Sequence, residues 1–175
     1  MGVALATSMG ALGGGIHIAM HAMGKITLFM CAGAIYVATH RTEISQMQGL
    51  GRVMPFTFAA FLIGALSIIG LPPLGGSWSK WVLMVGAADA GQQIMIGVLM
   101  LSSLLNVAYL LPLVGKGFFL PAKADDPLKD GGFKEAPLFV VAPPVLTAIG
   151  CLILFLYAGG VQDFLWPITG VPHGQ

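Results

Sequence analysis

Charge is what this chain has least of: 9% of its 175 residues are Asp, Glu, Lys or Arg, where an ordinary soluble domain carries roughly 25%. With 57% hydrophobic residues and a mean hydropathy of +0.89, a water-soluble globule of this size would expose more apolar area than a monomer tolerates. Cysteine is equally scarce. Cys31 and Cys151 stand alone inside apolar runs, which excludes a disulfide scaffold and a Cys-based metal site. Eight basic and seven acidic residues leave a formal charge of +1 and no basic patch, so no nucleic-acid partner is expected. The first basic residue is Lys25, so the N-terminus lacks the basic region of a conventional signal peptide. Position 6 is alanine where an N-myristoylation signal needs Ser or Thr. A disordered tail is excluded by the same apolar content. What remains is a multi-span membrane protein.

Spanning helices need about 20 largely apolar residues, and four stretches supply them. The first runs over about 17–37, preceded by an apolar segment and a Gly13-Gly14-Gly15 run that predicts a hinge. The second, about 55–88, opens on Pro55, a favoured first helical residue. It is too long for one straight crossing, and its middle reads Gly70-Leu71-Pro72-Pro73-Leu74-Gly75-Gly76. Two prolines remove two backbone donors, so the helix is expected to break there. The third and fourth stretches are about 94–114 and 137–157. Between them, 116–135 holds four Lys and four acidic residues and reads as a solvated loop. After Gly159 the chain is expected to fray. No repeat or second domain is visible, so 1–175 reads as a single all-α transmembrane domain of about four spans, the second discontinuous at Gly70–Gly76.

Cation placement decides whether 55–88 crosses once or twice. If it crosses once, Arg41, Arg52, Lys116, Lys123, Lys129 and Lys134 share one side, and the other side has no Lys or Arg. If it crosses twice, the count is two against four. One broken crossing is therefore expected. It places the 39–52 and 116–135 loops in the cytoplasm and the C-terminus outside.

The two remaining cations, Lys25 and Lys80, fall inside spans, where a charge costs several kcal/mol. Lys25 ends the series His17-x3-His21-x3-Lys25. Spacing of four puts all three on one helical face, each about 6 Å above the last. Imidazoles titrate near neutral pH and both give and take a proton. A ladder of this kind is what proton conduction requires. Taken singly, a packing histidine and a snorkelling lysine are the plainer readings; three groups in register argue against both. A zinc site is disfavoured because no Cys, Asp or Glu lies near to complete the shell. Lys80 stands just past the break among Ser77, Trp78, Ser79 and Trp81. It is either part of an interfacial anchor belt or a polar centre beside a broken helix, of the kind that marks ion sites. About 15 residues of helix precede the break, which favours mid-depth and the second reading. Asn106 and Tyr109 in the third span add polar lining or an interhelical hydrogen bond.

The stretches HIAMHAMGKITLFMCAGAI (17–35) and IGLPPLGGSWSKWVLM (69–84) resemble the proton-conducting membrane subunits shared by respiratory complex I and the Mrp-type sodium/proton antiporters. The resemblance runs from about Gly13 to the end of the fourth span and corresponds to the last four helices of that family's longer bundle. It implies that His17, His21 and Lys25 belong to a central polar axis. Lys80 then becomes the basic residue beside a broken helix that passes protons to the far side. Trp81 and Val82 stand where one complex I branch has acidic residues, which points toward the Mrp-type antiporter branch. Ser77-Trp78 also replaces the family's more usual apolar aromatic pair. The glutamate–lysine pair of the family's first repeat has no counterpart here, so the chain reads as an exit half-channel: the C-terminal portion of a longer protein or one piece of a split subunit.

The function expected from this reading is proton translocation through a relay of His17, His21, Lys25 and Lys80. The discontinuous helix at Gly70, Pro72, Pro73 and Gly75 would lie beside it. The expected setting is a bacterial plasma membrane, with other membrane subunits as partners, protons and possibly sodium as the moving ions, and no cofactor or metal. Two alternatives come from other classes. One is a structural subunit that conducts nothing. The other is a membrane subunit of an NADH:quinone-type oxidoreductase.

Overall fold

A computed structural model describes residues 2–121 and 132–170. Helix α1 (Ser8–Thr39) runs 32 residues, about 48 Å. Thr7 starts it by accepting the Gly10 N–H on its side-chain oxygen at 3.1 Å, a standard N-cap. His40 ends it in the left-handed conformation, its N–H donating to Tyr36 O. The expected hinge at Gly13-Gly14-Gly15 is absent, because α1 passes through all three glycines. They serve packing: a Cβ on Gly13 would lie 2.8 Å from the Leu83 backbone nitrogen, and one on Gly15 3.2 Å from Leu165. The first span is accordingly longer than 17–37 predicts.

After a short helix α2 (Leu50–Val53) comes α3 (Pro55–Ile69). Pro55 cannot donate a hydrogen bond, and the next two amides are satisfied from a distant segment. Phe56 N–H and Thr57 N–H donate to Glu135 Oε1 at 2.7 and 3.2 Å, and the Thr57 hydroxyl donates to Oε2 at 2.6 Å. A carboxylate suits the positive end of a helix. Helix α3 stops at Gly70, whose φ of +88° is open to glycine at little cost. The Gly70 and Leu71 amides both fold back onto Leu66 O. The Pro72–Pro73 peptide is cis, and the chain becomes helical again as α4 (Gly75–Asp89). The predicted discontinuity is therefore present.

Close approaches show that α3 and α4 together make one crossing. Gly64 packs on Thr27 and Leu28, Gly24 on Ser67 and Ile68, Gly75 on Met20, Gly13 on Leu83, and Gly86 on Gly10. As residue numbers rise through α3 and α4, they fall steadily along α1. The two half-helices thus form a broken strut antiparallel to the single long helix.

Helices α5 (Gln93–Phe119) and α6 (Leu138–Leu156) complete the bundle. With α1 they are the three described helices long and apolar enough to cross a membrane. Helix α5 outruns the expected 94–114, so Lys116 sits in its last turn and not in a loop. The middle of the expected polar loop lies outside the described residues. Fraying was expected after Gly159, but 158–169 is helical; the last five residues lie outside the described residues. Helix α7 (Ala158–Leu165) returns against α1, with Leu165 and Trp166 packed on the buried Leu12–Ile16–Met20 cluster.

Candidate functional site

The ladder on α1 forms as its spacing predicts. His17 and His21 stack with ring centroids 5.0 Å apart and an interplanar angle of 25°. The link from α1 to the broken helix is Ser79. Its hydroxyl lies 2.9 Å from His17 Nδ1 and 3.2 Å from Gly76 O. That hydroxyl has one proton and two lone pairs. Given to Gly76 O, it leaves Ser79 to accept from a protonated Nδ1; given to the imidazole, it serves the other tautomer. Ser79 therefore accommodates either state of His17.

Lys25 and His21 face a cavity of about 520 Å³, lined on the opposite side by Ser102, Asn106 and Tyr109 of α5. The Tyr109 hydroxyl donates to Asn106 Oδ1 at 2.9 Å. Both residues line the cavity, as the first sequence reading expects; the bond they make lies within α5 and is not the interhelical one of the second reading.

Lys80 sits about one and a half turns into α4, and its side chain reaches back across the break. Its ammonium donates to Ile68 O at 2.9 Å, Ile69 O at 2.8 Å and Ser103 Oγ of α5 at 2.8 Å. The two carbonyls belong to the last turn of α3, which has no helical partner for them. A second cavity of about 370 Å³ adjoins Lys80, lined also by Gly70, Ser77 and Ser103. Trp78 and Trp81 project outward, away from this centre.

The glycines of the break make the approach sterically possible. A Cβ on Gly70 would meet Lys80 Cδ at 3.0 Å and Nζ at 3.3 Å, and one on Gly75 would meet Met20 Sδ at 2.9 Å. A Cβ on Gly76 would overlap the Ser67 carbonyl. Pro72 and Pro73 lie exposed in the turn itself. Cys31 and Cys151 are buried free thiols. Among the described residues no three His, Cys, Asp or Glu side chains gather around a possible metal position.

Sequence reasoning missed Ser79, Ser102 and Ser103. A signal for Ser102 was present. Ser102, Asn106 and Tyr109 fall at i, i+4 and i+7 within an otherwise apolar span, which draws a polar stripe down one face. Ser103 beside it reaches Lys80.

An apolar helical bundle with a broken crossing and titratable side chains at depth is the architecture of an integral membrane protein. Residues 1–106 match the NADH:quinone oxidoreductase/Mrp antiporter transmembrane family, and the chain belongs to it. Subunit N of the NADH-quinone oxidoreductase of Desulforudis audaxviator is 33% identical over 165 residues, covering 90% of this chain and 33% of the relative. Of solved structures, the Mrp complex of a Dietzia species superposes with a TM-score of 0.84 at 24% identity, over 97% of this chain and 39% of that one. A chain of the archaeal membrane-bound sulfane sulfur reductase superposes at 0.79 with 27% identity, over 90% of this chain and 25% of that one. The chain thus spans about a third of the curated relative's length.

Proposed function

We propose that this chain is the C-terminal transmembrane part of a proton-translocating subunit that works inside a multisubunit membrane complex. The observation that carries the reading is the hydrogen bond between His17 and Ser79. It joins the titratable ladder of α1 to the half-helix that bears Lys80. Protons enter from the cavity beside Lys25, pass the stacked imidazoles, and reach the Lys80 side of the break. A shift of charge at one group changes the proton affinity of the next, since neighbouring sites at low dielectric titrate as a coupled set. Family membership supports this reading, as do the structural relatives, which are parts of multisubunit membrane complexes. Backbone bonds from Gly49 to Lys116 and from Lys134 to Val53 gather Arg52, Lys116 and Lys134 at one end of the bundle, which supports a cytoplasmic face there and an external C-terminus.

The Desulforudis relative is a quinone-oxidoreductase subunit, which favours a second setting in which the proton path serves a redox enzyme. Copurification with iron–sulfur or flavin subunits would mark that setting, and its absence an antiporter.

Replacing Lys80 with Met tests the function itself. In vesicles holding the complete assembly, Lys80→Met is expected to abolish coupled proton flux while membrane insertion and assembly persist. Undiminished flux would make the chain a scaffold and sink the proposal.

A further inference from the structure

Three oxygens meet at the end of Lys80, and they come from two separate elements. Ile68 O and Ile69 O are carbonyls at the open C-terminus of α3, and Ser103 Oγ is a hydroxyl of α5; all three lie 2.8–2.9 Å from Nζ. A helix C-terminus carries a partial negative charge, and unwound carbonyls at a membrane helix break coordinate cations in other transporters. The position that Nζ fills is therefore a cation position, and Lys80 fills it with a cation tethered to α4.

We propose that the oxygens of Ile68, Ile69 and Ser103 form a monovalent-cation site for which Lys80 is the built-in competitor. This goes beyond the proton path and stands on the cradle geometry alone. When the Lys80 side chain withdraws into the adjoining cavity of about 370 Å³, a free cation takes its place. That cavity supplies water for the remaining ligands, and Ser77 lines it as a further polar group. Gly70 keeps the approach open, because a Cβ there would stand 3.3 Å from the cation position.

Size selects among cations. An ammonium and a potassium ion make similar distances to oxygen, whereas sodium draws its ligands closer. Carbonyl rings at potassium-like spacing replace the hydration shell of K⁺ in selective channels. A cradle set around an ammonium is therefore spaced for K⁺ ahead of Na⁺. The single charge of the site follows from its ligands: one helix end and a hydroxyl, with no carboxylate among the lining residues.

The experiment is equilibrium binding of radioactive Rb⁺, a potassium surrogate, to the purified protein in nanodiscs. Lys80→Ala is expected to bind one Rb⁺ per chain saturably, at least about tenfold more tightly than wild type, whose site is occupied. Adding Ser103→Ala is expected to weaken that binding about tenfold, and K⁺ to displace Rb⁺ at lower concentration than Na⁺. No saturable binding by folded Lys80→Ala would overturn the proposal. So would indifference to Ser103→Ala, or displacement by Na⁺ ahead of K⁺. If Lys80→Ala fails to fold, acylation of the Lys80 amine in wild type decides the matter. K⁺ is expected to raise its labelling rate above that in choline, and an unchanged rate would contradict the site.

Discussion

Gly76 shows how much of the centre depends on atoms that are missing. The Ser67 carbonyl occupies the space a Cβ on Gly76 would need, so the two half-helices meet at backbone distance. Overpacking at such a contact costs about 1–3 kcal/mol. Gly76→Ala is therefore expected to lower the thermal midpoint in detergent, while Gly97→Ala, with nothing within 4 Å of the added carbon, is expected to leave it unchanged or raise it. Equal midpoints for the two variants would contradict the close approach. At this scale the sequence was partly legible. His17, His21 and Lys25 announce their shared face by spacing alone; the first two stack, and His21 and Lys25 line one cavity. Ser79 and Ser103 did not announce themselves, because a serine in an apolar helix has many uses. Only the fold decides that one meets an imidazole and the other an ammonium.

Elements were legible where composition changes sharply. Two adjacent prolines cannot continue a helix, and the break at Gly70–Leu74 is where they put it. Gly13-Gly14-Gly15 misled for the opposite reason. Glycine permits a hinge but equally permits a close contact, and here Leu83 and Leu165 take the space. Glu135 was invisible as a cap, since its partners Phe56 and Thr57 lie about 80 residues earlier in the chain. The single crossing of α3 and α4 makes a prediction of its own. Cysteines placed singly at Ser45 and Gln92, both exposed, are expected to react with a membrane-impermeant maleimide from opposite sides, against a low background from the buried Cys31 and Cys151. Labelling of both from one side would mean that the strut crosses twice or not at all.

The whole molecule differs from a soluble bundle at its surface, which is apolar like its core. Ile94, Leu104 and Phe119 on α5 and Phe29 on α1 point outward with 63–80% of their surface exposed, while Thr27, Thr57, Ser67 and Ser79 are buried. Lipid tails and neighbouring apolar helices solvate such a surface, and composition alone was enough to infer that solvent. Composition could not show that a hydroxyl of the broken helix meets an imidazole of α1. Lys25, His21 and His17 lie along one helix, Ser79 bridges to the next, and Lys80 closes back over the break to touch α5. The proposed path has one bridging hydroxyl, and the most direct test is made there. Ser79→Ala leaves every titratable group in place and removes the bond to His17. Proton flux in vesicles carrying the complete assembly is predicted to fall at least about tenfold, with folding and assembly intact. Flux equal to wild type would contradict the continuous path from Lys25 to Lys80.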